Sequence, residues 1–184
     1  MALLSLTLRG TPFIYYGEEL GMKEASISKK NIQDPVGKKF WPFFKGRDGA
    51  RTPMQWSTER YGGFSRKTPW LPLCNDYKKR NVLLQEHNQN SILNTYRRLI
   101  HLRKEYSCLQ LGAISWQKTS SNLICFIRHD TKYCMRISIN LCDHPQAMVA
   151  PDEPIVYTIG TVSDTHLAPR SAIVQQTPHP HVHS

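Results

Sequence analysis

A chain of 184 residues that is 40% hydrophobic and 21% charged has the composition of a globular protein, with room for one domain or two small ones. This composition excludes a disordered chain, and no run approaches the ~20 apolar residues of a membrane-spanning helix. The formal net charge of +10 would suit a polyanion, but the basic residues are spread mostly over positions 29–104 without a nucleic-acid-binding motif. We therefore expect neither a membrane nor a nucleic acid as a partner.

The first ten residues and the cysteines indicate the cellular compartment of the protein. The opening stretch MALLSLTLRG lacks the charged start and the cleavage site of a signal peptide, which indicates a cytoplasmic protein. The cysteines are odd in number and contain no C-x-x-C pair, which argues against a disulfide framework and a zinc site; they are Cys74, Cys108, Cys125, Cys134 and Cys142. We predict free thiols, no metal and no cofactor.

The chain begins with a pattern typical of an α/β unit. Residues 2–8 are apolar on nearly all sides and predict a buried helix, which Pro12 keeps from continuing. The stretch FIYYG, residues 13–17, is aromatic and β-branched and predicts a buried strand. Residues 18–90 then show little regular pattern apart from a short helix near 28–33. A loop of this length indicates a function, and in α/β barrels such loops follow the strand ends at which active sites are built.

Regular structure is predicted again in the second half of the chain. Residues 90–106 carry an apolar stripe at helical spacing, which predicts a helix with Ser91 as its N-cap. Residues 108–176 contain short alternating runs between turn residues, which predict an antiparallel β domain of five or six strands. Residues 177–184 are rich in proline and histidine and predict a disordered tail. The alternative for this tail is a weak metal site formed by three alternating histidines: His179, His181 and His183.

The stretch GRDGARTPMQW, residues 46–56, holds two arginines in a loop that a Thr-Pro step stiffens. Each guanidinium presents five N–H donors in a rigid fork, which can bind hydroxyl oxygens and a carboxylate at once. We expect Trp56 to pack beneath this loop. The loop therefore immobilises donor groups.

Five segments of the sequence resemble one enzyme family in their order and spacing. They are RGTPFIYYGEELGM (9–22), GRDGARTPMQW (46–56), PWLP (69–72), NSILNTYRRLIHLRK (90–104) and LAPRSAIV (167–174). With these segments the chain resembles the α-amylase superfamily of glycoside hydrolases, glycoside hydrolase family 13. Within it, the chain is most similar to the oligo-1,6-glucosidase and α-glucosidase branch.

The resemblance implies an α/β fold joined to an all-β fold, corresponding to the last third of such an enzyme. Residues 1–107 would be the C-terminal remnant of a (β/α)8 TIM barrel, with the end of helix 7, strand 8, a long loop and helix 8. Residues 108–176 would form a small antiparallel β-sandwich domain, and the disordered tail would follow at 177–184.

The resemblance also implies retaining hydrolysis of α-glucosidic bonds by carboxylates that have no counterpart here, because they follow earlier strands of the barrel. Retaining hydrolysis needs two carboxyl groups about 5–5.5 Å apart. Glu18 and Glu19 are adjacent and would point to opposite faces of a strand, so they cannot flank one bond. Asp34 and Asp48 lie in the loop without a predictable geometry. We predict no catalytic residue in this chain.

Substrate binding is implied for the arginines by the same resemblance. Arg51 takes the position of the family arginine in the pocket for the non-reducing terminal glucose. Arg47 is a weaker candidate, whose alternative role is to brace the loop together with Asp48. The expected ligand is an α-glucoside oligosaccharide, α-1,6 or α-1,4 linked, once an N-terminal barrel completes the pocket. A complementary N-terminal fragment is the expected partner.

Three functions follow, in descending order. The first is a C-terminal fragment of a retaining α-glucosidase that is inactive alone. The second is a non-catalytic binding or assembly module of the amylase-like fold, similar to the heavy chains of amino-acid transporters. The last is a basic nucleic-acid-binding protein, which rests on net charge alone.

Overall fold

The computed structural model describes residues 1–120 and 122–179 of the chain. This part divides into two compact units. One unit is Ile14–Arg98, and the other is Met1–Phe13 together with the residues from Leu99 onward. No helix in the described ranges is both long and apolar enough to cross a membrane.

Regular elements are short in the first half of the chain and longer in the second. The helices are α1 (Ala2–Thr7), α2 (Pro35–Phe40), α3 (Val82–Glu86), α4 (Ile92–Glu105) and α5 (Ser107–Gln110), with 3-10 turns at Glu18–Leu20, Lys29–Asn31, Asp48–Arg51 and Arg60–Gly63. The strands are β1 (Ala113–Trp116), β2 (Leu123–His129), β3 (Cys134–Asn140), β4 (Gln146–Ala147), β5 (Ile155–Ile159), β6 (His166–Leu167) and β7 (Ala172–Gln176). Helix α4 confirms the predicted helix, and the Ser91 hydroxyl oxygen caps it by accepting the backbone N–H of Asn94 at 3.1 Å.

The strands form an antiparallel sheet in the order β1-β2-β3-β7-β5, and β4 and β6 form a separate two-stranded sheet. Strands β2 and β3 pair along their full length, from Leu123 opposite Asn140 to His129 opposite Cys134. Strand β3, the central strand of the five, is buried on both faces. Next to the larger sheet, Met148 and Leu167 pack with its Leu123 and Ile173. The structure has more strands than the five or six that the sequence predicted, because β4 and β6 are too short to show an alternating pattern.

A buried arginine joins this sheet to α1. The side chain of Arg128, on β2, is fully buried. Its guanidinium donates to the backbone carbonyls of Thr7, Leu109, Gly112 and Ala113. Arg103 donates to three further carbonyls at or just after the end of α1, those of Leu6, Leu8 and Gly10, at 2.7, 3.4 and 2.6 Å. The last carbonyls of a helix have no partner within it, so the two arginines complete the C-terminal end of α1.

An ion pair lies within the same unit, between β3 and the segment before β5. The Arg136 guanidinium donates to both carboxylate oxygens of Glu153, at 2.8 and 2.9 Å, and the Thr177 hydroxyl donates to the same carboxylate. The side chains of Arg136 and Glu153 are only 12% and 14% exposed. Burial by itself raises the pKa of Glu153, but the hydrogen bonds from Arg136 and Thr177 outweigh it and hold that pKa below its ordinary 4.5.

We expect this pair to make stability depend on pH. Because the pKa of Glu153 is lower in the folded chain, its contribution is complete above about 4.5 and is lost as the pH falls through the folded value. Glu153→Gln should lower the free energy of unfolding by about 2 kcal/mol at neutral pH. The difference from wild type should shrink below pH 4.5 in urea unfolding at a series of pH values. Asp143→Asn, which breaks the exposed pair with Arg170, is the matched control and should show no such trend.

Loops rather than long helices build the unit Ile14–Arg98. Its apolar cluster consists of Ile27, Ile32 and Leu71, with Ala25 and Trp41 packed against it. A buried carboxylate ties the loops together, because Asp48, only 1% exposed, accepts the backbone N–H groups of Gln33 and Asp34 at 2.6 and 2.9 Å. Hydrogen bonds to a buried carboxylate are strong, so they fix this irregular backbone.

The prediction of a strand in FIYYG, residues 13–17, is wrong for this structure. A strand needs a hydrogen-bonded neighbour, and this aromatic run has none among the residues that the structure describes. Phe13 is 89% exposed and Tyr15 is 50% exposed. The helix predicted near 28–33 is reduced to the single 3-10 turn at Lys29–Asn31.

The cysteines are all free, as predicted. Cys74, Cys108, Cys125 and Cys134 are buried, and Cys142 is partly buried. Burial raises the pKa of Cys108 to about 12. This thiol therefore stays protonated and unreactive at neutral pH.

The end of the chain is described as far as residue 179. Strand β7 ends at Gln176, and Thr177 is still buried. His181 and His183, and with them the alternative of a histidine metal site, lie outside the described residues.

Candidate functional site

The hydroxyl of Tyr16 joins the FIYYG segment to the loop that carries the two arginines. It donates to the carbonyl of Thr52 at 3.0 Å, and the carbonyl of Ala50 lies 3.5 Å away. Burial, together with the neighbouring Tyr15, raises the pKa of Tyr16, so this hydroxyl keeps its proton at neutral pH. Because the two carbonyls flank Arg51, Tyr16 holds that residue close to the end of the aromatic segment.

The backbone that follows Arg51 is fixed as well. Thr52 and Gln55 are buried, and the backbone N–H of Trp56 donates to the carbonyl of Gly62 at 2.8 Å. Thr52 is extended, with φ −68° and ψ 155°, as expected before a proline. The Arg51 side chain, in contrast, is exposed and makes no hydrogen bond or ion pair with any residue that the structure describes. A rigid backbone therefore presents a guanidinium with unused donors.

Arg51 lines a cavity of about 600 Å³. Aromatic side chains form half of its lining: Tyr15, Tyr16, Trp56, Phe64 and Trp70. Glu19 is the other charged residue in the lining. The remaining lining residues are Thr52, Pro53 and Met54. An apolar wall with a few convergent polar groups is typical of a site for a small ligand. Here the rings can cover the C–H faces of a sugar while the guanidinium donates to its hydroxyls.

The two adjacent glutamates do not lie on a strand, contrary to expectation. Gly17, with a φ of 90°, ends the aromatic segment and begins the 3-10 turn at Glu18–Leu20. The Glu19 carboxylate accepts the backbone N–H of Gly17 at 2.8 Å and lines the cavity, whereas Glu18 is exposed outside it. Within the described lining, Glu19 is thus the single carboxylate, and retaining hydrolysis requires two at about 5–5.5 Å.

The loop aspartates hold backbone rather than face the cavity. Asp34 caps α2 and also accepts the backbone N–H of Arg47 at 3.0 Å. That hydrogen bond is the main reason why the pKa of Asp34 is lowered. Asp48 is buried on the backbone of Gln33 and Asp34, as described above. Neither Arg47 nor these aspartates line the cavity, so the structure brings Arg51 and Glu19 together and leaves Arg47 apart.

Sequence reasoning missed the aromatic wall. Trp56, which we expected to pack beneath the loop, is 50% exposed and lines the cavity together with Phe64 and Trp70. The available signal was the frequency of tryptophan and phenylalanine in a segment too rich in glycine and proline to bury them in regular structure. No group of three His, Cys, Asp or Glu side chains that could hold a metal ion occurs within the described ranges.

Comparison with known proteins decides the family. The sequence profile described as alpha amylase, catalytic domain, matches residues 1–112, more than half of the chain. The chain belongs to the alpha-amylase family. Among curated relatives of this alpha-amylase family chain, the probable alpha-glucosidase of Rhizobium meliloti (strain 1021) is 46% identical over 128 residues, which are 70% of this chain and 23% of the relative. The oligo-1,6-glucosidase of Parageobacillus thermoglucosidasius is 35% identical over 123 residues, 57% of this chain and 22% of the relative.

Solved structures of other proteins have the same fold as most of this chain. The alpha-glucosyl transfer enzyme XgtA is 32% identical, with a TM-score of 0.84, and the match covers 96% of this chain and 34% of XgtA. The isomaltulose synthase of Klebsiella sp. LX3 is 26% identical, with a TM-score of 0.82, over 95% of this chain and 37% of that protein. In the comparison with curated relatives, this chain spans about a quarter of the length of the proteins it matches.

Proposed function

We propose that this alpha-amylase family chain is the C-terminal part of a retaining α-glucosidase, which hydrolyses α-glucosidic bonds in oligosaccharides. The observation that carries the proposal is the 3.0 Å hydrogen bond from Tyr16 to the Thr52 carbonyl, because it holds Arg51 at a cavity lined by aromatic rings. Relatives named probable alpha-glucosidase and oligo-1,6-glucosidase support the same activity.

Arg51 binds the terminal glucose in this proposal. Its guanidinium lies at the cavity without a partner among the described residues, and its backbone is already fixed by Tyr16 and by the buried Thr52. Because this backbone is fixed, only side-chain freedom is lost when a ligand binds, so Arg51 binds neighbouring hydroxyls more tightly than an arginine on a mobile loop would. Arg47, apart from the cavity, braces the loop through its backbone bond to Asp34.

The nucleophile and the acid/base belong to polypeptide outside this chain. The cavity offers Glu19 as its one carboxylate among the described residues, and that carboxylate is already bonded to Gly17. Residues 1–107 would be the C-terminal portion of the (β/α)8 barrel and 108–176 its C-terminal antiparallel β domain. A complementary N-terminal part of the barrel is therefore the partner, and the 184-residue chain is inactive without it.

Completion with a relative's barrel tests the proposal. The N-terminal part of the Rhizobium meliloti probable alpha-glucosidase, up to the point where its similarity to this chain begins, would be fused to residues 1–184. We expect the fusion to release p-nitrophenol from p-nitrophenyl α-glucoside with retention at the anomeric carbon. The chain alone should release none, because it supplies no pair of carboxylates at the cavity.

The intact relative, expressed in the same way, is the positive control for assay and folding. Hydrolysis by the 184-residue chain alone would contradict the proposed division of the site. A fusion that unfolds cooperatively but is inactive, beside an active relative, would contradict the proposed activity and favour a non-catalytic binding module.

A further inference from the structure

A cavity of about 430 Å³ lies beside the end of α1, in the unit that does not contain Arg51. We call it the arginine cavity, because Arg9 and Arg103 line it. The lining also includes Thr11, Pro12, Gln110 and Leu111. It therefore holds two guanidinium groups and, among the described residues, no carboxylate. Like charges at one cavity repel each other unless an anion compensates them.

Much of the donor capacity of this lining is unused. Arg9 is exposed, and its guanidinium forms no hydrogen bond or ion pair with any residue in the described ranges. Arg103 donates three hydrogen bonds, all to backbone carbonyls, so two of its five N–H groups remain. The Thr11 hydroxyl likewise has no hydrogen-bond partner in those ranges. The arginine cavity thus offers a ligand donors from two guanidinium forks and one hydroxyl.

A third guanidinium adds positive charge next to the arginine cavity. Arg128 is fully buried, and it donates to the carbonyls that flank the lining residues Gln110 and Leu111. Burial, and then the positive charges of Arg103 and Arg9, lower the pKa of Arg128. Neither Arg103 nor Arg128 forms an ion pair with a carboxylate in the part of the chain that the structure describes. This group of charges therefore has no described counter-charge.

The carbonyls at the end of α1 do not oppose an anion at this place. Exposed carbonyls at the end of a helix carry partial negative charge and would repel one. Here the carbonyl of Leu6 accepts a hydrogen bond from Arg103, and that of Thr7 accepts one from Arg128. These hydrogen bonds compensate the partial charge, so the remaining field at the cavity is positive.

Charge and donor number favour a phosphate over a carboxylate as the ligand. A carboxylate carries one negative charge and pairs with one guanidinium fork, so it would leave the second guanidinium uncompensated. A phosphate group carries about 1.5–2 negative charges at neutral pH and has three strong acceptor oxygens. It can therefore accept hydrogen bonds from both guanidinium groups and from the Thr11 hydroxyl.

We propose that the arginine cavity binds a phosphate group, either as the free anion or as the ester of a small molecule. Arg9 and Arg103 donate to its oxygens. Leu111, which is 91% exposed, and Pro12 give the organic part of an ester an apolar surface. The inference concerns the unit without Arg51 and does not depend on the proposed function.

Isothermal titration calorimetry of the 184-residue chain with inorganic phosphate, at constant ionic strength, tests this inference. We expect one saturable site, which Arg9→Gln weakens about tenfold or more because it removes a charged fork. Arg9→Lys should weaken it about threefold, since an ammonium keeps the charge but lacks the planar fork. The matched control is Arg66→Gln, which removes the same charge from an exposed arginine in the other unit. It should leave phosphate binding unchanged.

A titration with glucose 6-phosphate distinguishes the two sources of the phosphate group. Tighter binding than that of inorganic phosphate, lost in Arg9→Gln, assigns the site to an ester. Equal or weaker binding assigns it to the free anion. No saturable binding of either phosphate, equally tight binding of acetate, or the same loss in Arg9→Gln and Arg66→Gln would overturn the inference.

The fusion with the relative's barrel gives an independent readout. It should bind phosphate as tightly as the 184-residue chain does, and loss of binding there would show that the added polypeptide fills the cavity. An active fusion that does not bind phosphate therefore refutes this inference alone. An inactive fusion that binds phosphate, beside an active relative, refutes the proposed function alone.

Discussion

Arg128→Met should lower the free energy of unfolding by about 4 kcal/mol, because it leaves several buried carbonyls without a donor, at about 1–3 kcal/mol each. Arg128 is fully buried, and its guanidinium is shared by the carbonyls of Thr7, Leu109, Gly112 and Ala113. Arg128→Lys keeps the charge, but its single ammonium cannot reach all four acceptors, so we expect a loss of about half that size. Urea unfolding followed by circular dichroism measures both.

Arg97→Met is the matched control for the arginine removal. Arg97 pairs with Glu86 at 2.7 Å with both side chains about half exposed, so its loss should cost less than about 1 kcal/mol. Replacement of a buried charge by an apolar side chain can also stabilise a protein when the surroundings close over it. Arg128→Met with unchanged or increased stability would show that the carbonyls find other donors, and it would refute the role assigned to this residue.

Arg51→Ala in the completed fusion should reduce kcat/KM for p-nitrophenyl α-glucoside by about 100-fold, equivalent to roughly 3 kcal/mol of transition-state binding. Hydrogen bonds from a charged donor contribute about 1.5–3 kcal/mol each, and Arg51 offers several to one glucose. Arg51→Lys should recover only part of the activity, since an ammonium lacks the planar fork. The melting temperature should change little, because the Arg51 side chain is exposed and bonds to no described residue.

Arg47→Ala separates the two arginines of the loop. The Arg47 side chain does not line the cavity, and its backbone N–H to Asp34 survives the substitution. We therefore expect a loss of less than fivefold in kcat/KM. A larger loss for Arg47→Ala than for Arg51→Ala would transfer the glucose-binding role to Arg47 and contradict the assignment of Arg51.

The sequence predicted the elements whose contacts are local. Helix α4 carries its apolar period and its Ser91 cap within one continuous segment, so spacing alone was sufficient. Strands β2 and β3 are also recognisable, because each is a short run rich in apolar residues between turn residues, although both are buried at nearly every position rather than on one face. Residues 13–17 have the composition of a strand, but a strand also needs a hydrogen-bonded neighbour, and composition does not show whether one is present. The turn at Glu18–Leu20 depends on the left-handed Gly17, and that conformation moves both glutamates away from their predicted geometry.

The site was predictable only where a motif concentrated it. The Thr-Pro step after Arg51 showed that this arginine is held, and the structure places it at the cavity. Trp70 and Phe64 reach the same cavity through irregular loops, whose paths depend on buried groups such as Asp48. A periodic sequence pattern does not reveal the course of these loops, because each hydrogen bond that fixes them joins residues far apart in sequence.

The order of the five-stranded sheet makes β1 and β5 its edge strands. Edge strands carry unpaired backbone N–H and C=O groups, to which strands of other chains can add and cause aggregation. Strand β1 has only four residues, while β5 follows Pro154 and its pairing with β7 is interrupted between Ile155 and Tyr157. Shortness on one side, and a proline with an irregular register on the other, oppose the addition of another strand. These features therefore oppose the assembly of this sheet into fibrils through its edge strands.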